Sequence, residues 1–196
     1  ADAARDNLRE LLSRGDFSSS ADYINLARYF GRDGTRESIL LIMGEVLAAR
    51  PDDADALYAY VVVAVRMEAL DAAEKAAARL LEVRPDWPDA ALARAQVHEL
   101  RGEGPAAAAV LERFLTHHPE DREVRLARAR ALVELKDYAG ARAEFETLHR
   151  TRPDDPDALL ALALVAMQME DAAAADRYLH ALAALEGQAD RAHFYL

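Results

Sequence analysis

The chain of 196 residues has no cysteine, which excludes disulfides and thiolate zinc sites. It is also short of positive charge: 24 Lys and Arg stand against 35 Asp and Glu, a formal net charge of −11. A nucleic-acid binder carries a basic face because binding neutralises phosphates, and no stretch here is basic enough for that. An anionic membrane surface is disfavoured for the same reason. No apolar run approaches the roughly 20 residues that span a bilayer, so direct membrane insertion is not expected. Aromatics are 7% of the chain, and serines are scarce. There is no nucleophile elbow, no phosphate loop and no HExxH motif, so no catalytic residue, no metal ligand and no cofactor is assigned.

What is present is alanine and a period. Apolar residues make up 52% of the chain, and alanine dominates them. Small unbranched residues at this density favour closely packed helices over sheets. Pro51, Pro85, Pro119 and Pro153 are spaced 34 residues apart. Each follows a basic residue (Arg50, Arg84, His118, Arg152) and precedes an acid (Asp52, Asp86, Glu120, Asp154). Proline cannot continue a helix and biases the residue before it away from helical angles. The basic residue therefore ends one helix, where the macrodipole is negative, and the acids begin the next, where it is positive. Asp53, Asp121 and Asp155 are N-cap candidates, and Pro88 and Pro156 suit the first helical position. Trp87 stands where the capping aspartate would be, so that cap is weaker or falls to Asp86.

The frame is five repeats, 20–53, 54–87, 88–121, 122–155 and 156–189, each with two helical patterns separated by a short turn. The turns are expected near Gly31–Thr35, Glu68–Asp71, Arg101–Pro105, Lys136–Tyr138 and Glu170–Asp171. Equivalent positions then form rows. Ala27, Val61, Ala95, Ala129 and Ala163 make a small row in the first helix; Ile39, Ala73, Ala107, Ala141 and Ala175 make one in the second. Larger apolar rows flank them: Met43, Ala77, Leu111, Phe145, Leu179, and Val46, Leu80, Phe114, Leu148, Leu182. One helix pair cannot bury these rows alone, whereas stacked neighbours can.

With this unit the chain resembles the tetratricopeptide repeat family, whose pattern is a 34-residue helix–turn–helix with small residues at two close helix contacts and a terminal proline. Repeat 122–155 is the best match, through Ala129, Tyr138, Ala141, Phe145 and Pro153. The resemblance implies an all-α, right-handed superhelical solenoid. Two departures stand out. Arg94 and Arg128 occupy a row where the family places leucine, as Leu26 and Leu162 do here, and Gly187 replaces the last proline. Residues 1–19 are expected to hold an N-terminal packing helix over 2–14, with Leu8, Leu11 and Leu12 on one face. Residues 190–196 read as the start of a sixth repeat cut short, with Ala192 and Leu196 at apolar positions. The chain is thus expected to be part of a longer array whose open apolar end could self-associate.

The clustered acids recur once per repeat, as capping residues should, and lack the glycine and final glutamate of an EF-hand loop. His117 and His118 form a solvated pair at a helix end, with no further ligands evident. The resemblance instead points to the face of the first helices, which in this family lines a concave groove. One row is Ile24, Tyr58, Leu92, Leu126 and Leu160; the next is Asn25, Ala59, Ala93, Ala127 and Ala161; a third, one turn on, is Arg28, Val62, Gln96, Arg130 and Leu164. They lie at i, i+1 and i+4, so they share one helical face. The expected partner is another protein or a peptide, bound in an apolar trough floored by alanine. The family's terminal-carboxylate clamp is not expected, because its places hold Ile24, Arg28, Ala59, Asp89 and Ala93, of which only Arg28 is basic. A second reading is an adaptor that docks on a separate enzyme, such as an envelope protease or hydrolase. The composition is similar in style to bacterial envelope repeat proteins, which implies the periplasm or an outer-membrane lipoprotein ahead of the cytoplasm.

Overall fold

A computed structural model describes residues 10, 19–30 and 36–195. The expected N-terminal helix over 2–14, the turn over 31–35 and Leu196 lie outside the described residues, apart from Glu10, and so does the Leu26 side chain. Among the described residues there are eleven helices and no strand: α1 (Ser20–Phe30), α2 (Arg36–Ala49), α3 (Ala54–Arg66), α4 (Leu70–Val83), α5 (Pro88–Leu100), α6 (Gly104–His117), α7 (Arg122–Glu134), α8 (Tyr138–Thr151), α9 (Pro156–Gln168), α10 (Ala172–Ala183) and α11 (Ala189–His193). First helices begin at Ser20, Ala54, Pro88, Arg122 and Pro156, and second helices at Arg36, Leu70, Gly104, Tyr138 and Ala172. Each begins 34 residues after its predecessor in the series, so the period of the sequence is also the period of the backbone.

The turn between repeats is built by its proline. In Arg50–Asp53 the N–H of Asp53 donates to the Arg50 carbonyl at 3.3 Å across Pro51, and 84–87, 118–121 and 152–155 repeat this bond at 3.2, 3.1 and 3.2 Å. Proline is favoured at the second position of such a turn because its φ is already set. The basic residue also closes the preceding helix. Arg50, Arg84, His118 and Arg152 donate their N–H groups to the carbonyls of Val46, Leu80, Phe114 and Leu148, at 2.8–3.1 Å. Asp53, Asp121 and Asp155 cap α3, α7 and α9 by accepting from backbone N–H groups of the first turn. Trp87 makes no capping bond; it lies 5.3 Å from the Tyr58 ring, with the Arg84 guanidinium 5.4 Å over its own ring.

The turn inside each repeat obeys another rule. Glu68, Gly102, Lys136 and Glu170 have φ of 53°, 75°, 60° and 58°, the left-handed region. In each case the next residue donates back to a carbonyl five positions earlier: Ala69 to Ala64, Glu103 to His98, Asp137 to Leu132 and Asp171 to Ala166, at 2.8–2.9 Å. This is the Schellman ending, where glycine is preferred because it has no Cβ to clash. Only one of the four sites holds glycine. Asp137 and Asp171 then accept from Gly140 and Ala174 and cap the following helices, α8 and α10.

All twenty residues of the four packing rows are buried. Small side chains at the contact let helix axes approach, and the larger neighbours fill the layer between them. The chain divides into two compact units, 1–103 and 104–196. In the first, α3 packs against α1, α2, α4 and α5; in the second, α8 packs between α7 and α9, and α10 packs on α9 and α11. Ala192 of α11 is buried with Leu159, Leu179 and Leu182, while Phe194 beyond it is 81% exposed.

The arginines in the leucine row are accommodated by carboxylates. Arg94 reaches Glu74 of α4 at 3.2 Å. Arg128 pairs with Glu144 of α8 and with Glu112 of α6, the latter at 3.1 Å. Arg125 also holds Glu144, at 2.6 Å, and Glu144 is only 7% exposed. Each guanidinium makes a charge-assisted bond to a carboxylate of a neighbouring helix.

Candidate docking groove

Each unit carries a cavity with an apolar floor on its first-helix side. In the first unit a cavity of about 260 Å³ is lined by Ile24, Arg28, Ile39, Val62, Arg66 and Met67, together with Ala27 and Val63. In the second, a cavity of about 520 Å³ opens between α7 and α9 over Phe145 and Leu148 of α8. Leu126, Arg130, Val133, Glu134, Leu164 and Gln168 form much of its wall.

The rims differ in charge. The first cavity has two guanidinium groups, Arg28 and Arg66, and no carboxylate among its described lining residues. Both arginines are exposed and lie in the last turns of α1 and α3, where a cation suits the negative end of the helix. The second has both signs. Arg122 at its edge pairs with Asp155, and Asp157 pairs with Arg191 of α11 at 2.8 Å. Arg130 and Glu134 project nearby, both exposed.

Six of the ten residues singled out from the sequence line these cavities: Ile24, Arg28 and Val62 in the first, and Leu126, Arg130 and Leu164 in the second. The other four do not line either. Tyr58 is half-buried against Trp87, and burial, then the charge of Asp89, raises its phenol pKa. Leu92 is half-buried and Gln96 exposed, both on α5. Leu160, at 9% exposure, belongs to the core with Leu159, Leu179 and Leu182, so it packs helices together and offers little surface to a ligand. The lining also includes residues that sequence reasoning missed: Arg66, Glu134 and Gln168. They stand one further turn along from Val62, Arg130 and Leu164, so extending the third row by four residues would have found them.

Of the alanines in the intervening row, Ala59 and Ala93 are buried, whereas Ala127 and Ala161 are half-buried and Ala161 lines the second cavity. Among the described residues no group of three or more His, Asp or Glu is placed to hold a metal ion. No described helix is long and apolar enough to cross a membrane.

Antiparallel helix pairs repeating every 34 residues, with small residues at the crossings, define a helical-repeat protein. The family model for the tetratricopeptide repeat matches residues 37–97 and 100–163. That is more than half of the sequence, and the chain belongs to the tetratricopeptide repeat family. No curated protein sequence matches it. Solved structures do. A crystal structure of MamA superposes with a TM-score of 0.68 at 15% identity, covering 90% of this chain and 96% of that one. YrrB, described as a TPR protein with an unusual peptide-binding site, gives 0.65 at 19% identity over 88% of this chain and 89% of its own. MamA from Desulfovibrio magneticus RS-1, from its residue 41 to the end, gives 0.63 at 17% identity, covering 82% and 91%. At these identities the similarity is one of fold.

Proposed function

We propose that this protein is an interaction scaffold that binds a peptide or helix of a partner protein along the face formed by its first helices, and that it carries no catalytic activity of its own. The observation that supports this reading is the pair of apolar-floored cavities, one in each unit, whose walls include residues of the same two helical rows. Apolar surface left in a recess on a chain of net charge −11 is favourable ground for an apolar side chain from another polypeptide. YrrB, of similar fold, is described as having a peptide-binding site, which adds to the same reading. The floor supplies affinity by burial, and the charged groups at the rim supply orientation.

The test is a double substitution, Leu126→Glu with Leu164→Glu. Leu164 is 37% exposed and Leu126 only half-buried, so the fold should tolerate both changes. Retained helicity with loss of partner binding is the expected result. Binding unchanged in a folded double variant would place the partner elsewhere on the molecule.

A further inference from the structure

The cavity of the first unit has a chemistry at odds with the rest of the chain. The protein carries a net charge of −11, so its general field attracts basic partners and repels acidic ones. Yet the rim of this cavity holds Arg28 and Arg66 and no described carboxylate. Several other arginines of the described chain are engaged, among them Arg79 with Asp52 and Glu82, Arg101 with Asp71 and Glu103, and Arg142 with Glu146 and Asp171. Arg28 and Arg66 have no such partner among the described residues, and both project into solvent. Between them lies a floor of Ile24, Ile39, Val62 and Met67.

Size narrows the occupant further. At about 260 Å³ the cavity is below the roughly 300–1,000 Å³ usual for small-molecule sites. It suits the end of one bulky side chain better than a whole metabolite. A carboxylate beside that side chain would meet a guanidinium in a charge-assisted bond.

Building on the proposed docking role, we propose that the first unit recognises an internal segment of a partner protein in which one large apolar side chain is flanked by acidic residues. The apolar side chain seats on Ile24, Val62 and Met67, and the flanking carboxylates face Arg28 and Arg66. The recognised charges are side-chain carboxylates, and a chain terminus is not required. The mixed rim of the second unit, with Arg130 and Glu134 both exposed, gives no such bias toward acids.

The experiment uses three fluorescein-labelled 12-residue peptides with blocked ends. They differ only in the residues around a central leucine: Glu in the first, Lys in the second, Gln in the third. Binding to the whole protein is read by anisotropy. The Glu peptide is expected to bind about tenfold more tightly than the Lys peptide, against the overall charge of the protein. Arg28→Gln with Arg66→Gln should abolish that preference, so that the Glu peptide no longer binds more tightly than the Lys peptide. Arg28→Glu with Arg66→Glu should reverse the preference. Both pairs are at exposed positions, and circular dichroism verifies the fold of each variant. Equal or tighter binding of the Lys peptide to the native protein overturns the acidic preference while leaving the docking role intact, provided the Gln peptide binds and Val62→Glu weakens it. Failure of all three peptides to bind overturns both. A gain that appears only when the C-terminus is unblocked overturns the claim that internal carboxylates are read.

Discussion

Arg94 in the first unit and Arg128 in the second occupy the same position of the repeat, and the structure meets them differently. Arg94 has one carboxylate, Glu74, whose side chain is 23% exposed. Arg128 shares Glu144 with Arg125, and that carboxylate is 10% exposed. The two arginines stand at the same place on equivalent helices of 13 residues, so the difference lies in the partners. The 34-residue period fixes where helices start, turn and cross. It leaves the chemistry of the intervening layer to each repeat. The two cavities teach the same lesson: similar floors from similar rows, with rims of unlike charge.

Removing the carboxylates should separate the two sites most strongly. Glu144→Ala leaves two partly buried guanidinium groups without their shared partner, and about 3–5 kcal/mol should be lost in chemical denaturation. Glu74→Ala, at a wetter site, should cost well under half as much. Equal losses would mean that the two arginines are held alike. A second contrast is alkaline. Tyr23 of the first unit donates to Asp53 at 2.7 Å and is buried; burial first, then Asp53, pushes its pKa up to about 12. The folded state therefore holds this proton more tightly than the unfolded state. Its contribution is complete below the ordinary tyrosine value and is lost as pH rises through about 12. The single tryptophan, Trp87, lies in the first unit and serves as its fluorescent probe. Between pH 10 and 12 its unfolding transition should weaken, and less so in Tyr23→Phe.

Caps give a smaller effect. Asp121→Ala should cost the second unit about 1 kcal/mol, and Trp87→Asp should restore a cap to α5 while losing the contacts with Tyr58 and Arg84. The net change at Trp87 is therefore expected to be smaller than the loss at Asp121, as thermal melts would show. The smallest effect is at the tight turns. Glycine at Glu68 or Lys136, where φ is 53° and 60°, should raise stability by up to about 1 kcal/mol. At Gly102 the reverse change, Gly102→Ala, should lower it.

The repeat was legible because its punctuation is chemical. Proline, the preceding base and the following aspartate each act on the backbone locally, so their spacing carries the helix boundaries. The packing rows were legible because burial demands small or apolar residues at fixed positions. Three of the four left-handed turn residues were not, since Glu68, Lys136 and Glu170 carry no sign of their conformation. Glu144 was not legible as the partner of Arg128 either, because Arg94 finds its carboxylate at a position that does not correspond. For the groove, the helical rows led to six cavity residues, but Leu160 went to the core. Arg66, Glu134 and Gln168 lie one turn beyond the third row and are polar, so no apolar pattern marks them.

Docking on the first helices requires that their face lie against the partner. A photo-crosslinking residue placed at Val62 or Leu164, on first helices, should form adducts with the bound partner. The same residue at the exposed positions Lys75 or Arg150, on second helices, should not. Adducts confined to Lys75 and Arg150 would place the partner on the second helices instead.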